Sequence, residues 1–83
     1  MFKITKLQWS VSGIQCDYLC SSVDDISKLP RFGIKGTQEI TDYEEEFLND
    51  PCMYGSTALV IDPSLETSKL YILGPDNNWT EYK

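Results

Sequence analysis

Tyr54-Gly55-Ser56-Thr57-Ala58-Leu59-Val60-Ile61-Asp62, followed by Lys69-Leu70-Tyr71-Ile72-Leu73, Gly74-Pro75-Asp76-Asn77-Asn78 and Trp79-Thr80-Glu81-Tyr82-Lys83, is the stretch that decides the fold class. It reads as three short strands in a meander. Pro75 presets φ in the second link, and Asp76 to Asn78 tolerate the left-handed region that tight turns use. The first link, Asp62 to Ser68, is longer than a usual hairpin loop. Leu59 and Ile61 alternate with Ala58 and Val60, and Leu70 and Ile72 with Tyr71 and Leu73, so both faces of this hairpin are apolar. Such a hairpin sits centrally and is covered on both sides, by the chain's own helix on one face and by another subunit on the other.

Upstream, Phe2 and Ile4 lie on one face, whereas Leu7, Trp9 and Val11 alternate in the opposite phase, which places a kink or register shift near Lys6. Ser12-Gly13 marks a bulge or tight turn, and Ile14 to Tyr18 alternates again. Residues 2 to 20 therefore form one long bent strand or two short ones. Ser21 to Pro30 is the helical signal: Ser22 as N-cap, Asp24 and Asp25 at the positive end of the dipole, and Val23, Ile26 and Leu29 on one side. Pro30 stops it after about two turns. Arg31 to Tyr54 carries the weakest pattern, with a helical turn at Thr41 to Leu48 that sets Tyr43 and Phe47 at i, i+4. The expectation is one α+β domain over residues 1 to 83, predominantly β: a small antiparallel sheet of four or five strands with a C-terminal meander and one short helix.

Composition narrows the chemistry. At 83 residues and 41% hydrophobic content the chain has enough apolar surface to fold but stability that a partner would raise. No apolar run reaches the ~18–20 residues that span a bilayer. Met1 to Lys6 is followed by Gln8 and Ser10 rather than by the apolar core of a secretory leader. A cytosolic origin is expected, and an odd set of three cysteines, Cys16, Cys20 and Cys52, agrees with it. Cys16 and Cys20 share a strand face with Ile14 and Tyr18. Without a histidine or a fourth cysteine no structural zinc set is complete, so buried, inert thiols and no metal or cofactor are expected.

Thirteen acids against seven bases give a net charge of −6, which disfavours nucleic acid and anionic membranes as partners. Without histidine there is no Ser-His or Cys-His nucleophile pair. The paired carboxylates, Asp24/Asp25 and Glu44 to Glu46, fit capping and solvation better than glycoside hydrolysis. No catalytic residue and no enzymatic activity are expected. Trp9, Trp79, Tyr71 and Tyr82 are read first as core and second as a binding face.

The meander, together with Ser22 to Pro30, resembles a pattern in small tailed-phage virion proteins: Gly-Ser-Thr-x-Leu-x-Ile, a short link, apolar-Tyr-x-apolar, a polar turn and Trp. About half of the chain carries it. The link Pro63 to Ser68 is longer than in the pattern, and residues 31 to 53 have no counterpart. The resemblance implies a non-enzymatic capsid decoration or head-fibre-like accessory protein of the virion, assembled in the host cytoplasm. Its implied partner is the major capsid protein or another virion protein, with self-association into an oligomer. The contact residues expected are Trp9, Tyr43, Phe47, Trp79 and Tyr82. The alternative reading, drawn from the charge and from the acid-rich stretch Glu39 to Asp50, is a phage-encoded inhibitor of a host nuclease or DNA-binding protein.

Overall fold

The computed structural model describes residues 1–11, 13–39 and 47–82. Five strands, β1 (Phe2–Ser10), β2 (Gly13–Cys20), β3 (Thr57–Val60), β4 (Lys69–Leu73) and β5 (Trp79–Tyr82), form one sheet in the order β1-β2-β3-β4-β5. The fold is predominantly β, as the alternation requires, and β3 to β5 form the expected meander.

Two features depart from the expected sheet and helix. The sheet is mixed rather than antiparallel, because β2 and β3 run parallel, with Asp17 opposite Thr57 and Cys20 opposite Val60. Parallel neighbours need a crossover, and residues 21 to 56 supply it. The helix after Cys20 is a six-residue 3-10 segment, Val23–Lys28, not two α-turns. Asp25 anchors its first turn. Its carboxylate is buried and accepts from the backbone N–H groups of Ser21 (3.1 Å) and Ser22 (3.2 Å), from the Ser21 hydroxyl, and from the Met1 amine. A side chain turned back on the preceding backbone fixes the first turn in place.

The first two strands form a hairpin, and the phase change expected near Lys6 is a register shift between Ile4 and Lys6. Thr5 fills the irregularity by donating its hydroxyl to Asp17 O at 3.1 Å. In the β4–β5 turn, Asn77 takes the left-handed backbone at φ 64°, and its side-chain amide pairs with both the N–H and the C=O of Phe32.

One sheet face is covered. Cys16, Tyr18, Cys20, Ala58, Val60, Leu73 and Trp79 point toward Leu29, Leu48 and Cys52 of the crossover, and together they make the core. Gly36 marks the tightest approach inside that crossover: a Cβ there would lie 2.9 Å from Lys28 O and 2.8 Å from Asn49 Oδ1. Ser56 repairs the ladder where β3 begins. Its buried hydroxyl accepts from Cys16 N–H at 3.2 Å and donates to Met53 O at 2.7 Å. Among the described residues no helix is long and apolar enough to cross a membrane.

Candidate functional site

The opposite face of the sheet stays open. Register aligns Lys3, Leu19, Leu59, Leu70 and Tyr82 in one row across all five strands. The next row runs Lys6, Asp17, Thr57, Ile72 and Thr80. Leu59 is 37% exposed, Ile61 53% and Tyr82 67%, whereas Ala58 and Val60, their neighbours on the covered face, are fully buried. An apolar groove of about 400 Å³ at the top of this face is lined by Met1, Lys3, Leu19 and Ile61, among others. The far end is polar, where Gln15 donates to Gly55 O and the Thr57 hydroxyl to Asp17 Oδ1 at 2.8 Å.

A second surface lies along β1, an edge strand. Backbone groups of β2 at Ile14, Cys16 and Cys20 bond toward the β3 side, to Met53, Ser56 and Ile61. Strand alternation therefore turns the groups of their β1 partners, Trp9, Leu7 and Phe2, away from the sheet. At Phe2 the Gln38 side chain seals this edge, accepting from its N–H at 2.7 Å and donating to its C=O at 2.8 Å. At the other end Trp9, 64% exposed, meets Phe47 edge to face with ring centroids 5.7 Å apart.

The five expected contact residues thus separate. Trp9 and Phe47 come together beside the β1 edge, on the side of the sheet that the crossover covers. Tyr82 projects from the opposite face, and Tyr43 lies outside the described residues. Trp79 is a core residue: it is 9% exposed, packs against Tyr18, and donates its indole N–H to Pro30 O at 3.0 Å. A buried indole offers a partner no surface. Sequence reasoning missed the exposed stack of Phe32 on Tyr54, at 4.9 Å between centroids, because the two residues lie 22 positions apart and meet only after the crossover has folded.

The thiols are chemically quiet. Burial pushes Cys16 and Cys52 up from the usual thiol value and Cys20 up to about 11, so none is a thiolate at neutral pH. The Tyr18 hydroxyl, buried beside Cys16 and Cys52, is also pushed up, chiefly by desolvation. Among the described residues no three histidine, cysteine, aspartate or glutamate side chains converge on a metal-sized site. Asp24 stands exposed at the start of the 3-10 segment, and Asp25 is occupied by its four donors. No protein-family model, curated protein or solved structure matches the chain.

Proposed function

We propose that this chain is a non-enzymatic binding module, an accessory protein of a tailed-phage virion that attaches to the major capsid protein as a decoration. The observation that supports this reading is the β1 edge. An indole that is 64% exposed and braced by Phe47 stands beside strand backbone groups directed away from the sheet. An aromatic anchor with a polar handle, next to an edge able to accept one more strand, is the chemistry of attachment to a protein surface. The many equivalent sites of a capsid turn modest single contacts into firm attachment wherever several engage together.

Co-sedimentation of the purified chain with capsids of its encoding phage tests this. Trp9→Ala should weaken retention roughly 30-fold, the cost of losing a well-packed aromatic anchor worth about 2 kcal/mol. Attachment built on apolar burial and strand pairing should hold between about 0.1 and 0.5 M salt, over which the screening length falls about twofold. No binding to capsids, or capture of a host nuclease that is lost across that salt range, contradicts the reading and favours acidic mimicry.

A further inference from the structure

We propose that the open face of the sheet is the surface on which a second copy of this chain packs, forming a two-fold sandwich about a dyad parallel to the strands and passing by Leu59. This goes beyond the virion reading and does not depend on it, since it uses a different face from the β1 edge.

The row Lys3, Leu19, Leu59, Leu70, Tyr82 carries the argument because it is self-complementary. A half-turn about an axis along β3 keeps each row in place and exchanges the two edges of the sheet. Leu59 then meets Leu59 of the second copy, and Leu19 meets Leu70. Lys3 meets Tyr82, which sets an ammonium over the face of a phenol, a favourable cation–π pair. A dyad across the strands through the same row would instead set Lys3 against Lys3 of the second copy, a like-charge contact. Two sheets with the same twist pack in this aligned way at about 10 Å separation.

Area points the same way. Four strands at ~4.8 Å spacing and about four residues at ~3.4 Å define roughly 19 × 14 Å of plane, and side-chain relief raises this to on the order of 500 Å² per copy. The pair buries about 1,000 Å² in total, the area that a biological interface should reach. Charge agrees. Among the described residues, Lys3 and Lys6 are the exposed cations of this face in a chain of net −6, and its one acid, Asp17, is held by Thr57 near the polar rim. The face therefore escapes the self-repulsion that the acidic remainder would impose.

Two measurements decide it. Sedimentation velocity over a concentration series should show a shift from 9.5 kDa to twice that mass, and Leu59→Lys should remain at the lower mass with an unchanged far-ultraviolet spectrum. Leu59→Cys, treated with a short bis-maleimide that spans the ~10 Å between aligned sheets, should cross-link to a dimer within the time in which Gln8→Cys, on the polar end of the same face, gives none. The three native thiols are buried on the covered side and supply the blank. A wild-type chain that stays monomeric overturns the proposal, as does equal cross-linking of the two cysteine variants. A monomeric chain whose capsid binding is abolished by Leu59→Lys would give the face to the capsid instead. Should Leu59→Lys fail to fold, the cysteine pair decides alone.

Discussion

Trp9 and Trp79 carry the same indole and end in opposite environments. Nothing local in the sequence separates them; what buries Trp79 is Pro30, 49 residues away, whose carbonyl takes the indole N–H. Asp25 is the other residue whose place local pattern misjudges, since a carboxylate at a helix start reads as an exposed dipole partner. Here it is buried under four donors, and Asp25→Ala should cost about 3 kcal/mol in urea unfolding, because backbone N–H groups and an amine lose their acceptor. Burial alone raises its pKa, but the Met1 amine and the Ser21 and Ser22 N–H groups together hold it below the usual 3.8. A folded pKa below the unfolded one gives stability that is complete above the unfolded value and is lost as pH falls through the folded one. The stability gap between wild type and Asp25→Ala should therefore be full at neutral pH and should narrow below about pH 4. A gap that stays constant into acid would show that Asp25 acts by packing alone. Ser56→Ala should cost about 1–3 kcal/mol by the same logic, since Cys16 N–H would lie buried without a partner.

At the scale of elements, local chemistry was a good guide to strands and turns and a poor one to pairing. Alternation located the strand-forming stretches but left open whether residues 2 to 20 form one bent strand or two, and the phase break at Ile4 and Leu7 located the register shift between Ile4 and Lys6. Turn chemistry placed the left-handed region within Asp76 to Asn78, and the structure puts Asn77 there. Sequence could not reveal that β2 lies parallel to β3, because that pairing is closed by the crossover, whose contacts join residues far apart: Gly36 to Asn49, Cys52 to Arg31, Met53 to Ile14. Nor could it reveal that Gln38 seals the edge at Phe2. Hydrogen exchange checks the edge directly. The amides of Leu7 and Trp9, directed outward, should exchange much faster than those of Lys6 and Gln8, while Phe2 is protected until Gln38→Ala releases it. Uniform protection along β1 would contradict the assigned alternation.

For the whole molecule, the apolar pattern on both sides of β3 and β4 pointed to a sheet covered twice, and the structure covers it once with its own crossover. The second cover is the one the chain does not supply from its described residues. The contact set expected from sequence mixed the two surfaces that the fold separates, the Trp9 and Phe47 edge and the face bearing Tyr82. An 83-residue chain buries a limited share of its surface, so attachment should also stabilise it. Bound to capsids, it should unfold at a higher temperature than free in solution, and scanning calorimetry of decorated and stripped particles would show the shift. The function itself is tested most directly by quantitative mass spectrometry of purified virions of the encoding phage, with the chain counted against the major capsid protein. The account predicts a ratio near one to one; complete absence of the chain from the particles would contradict it.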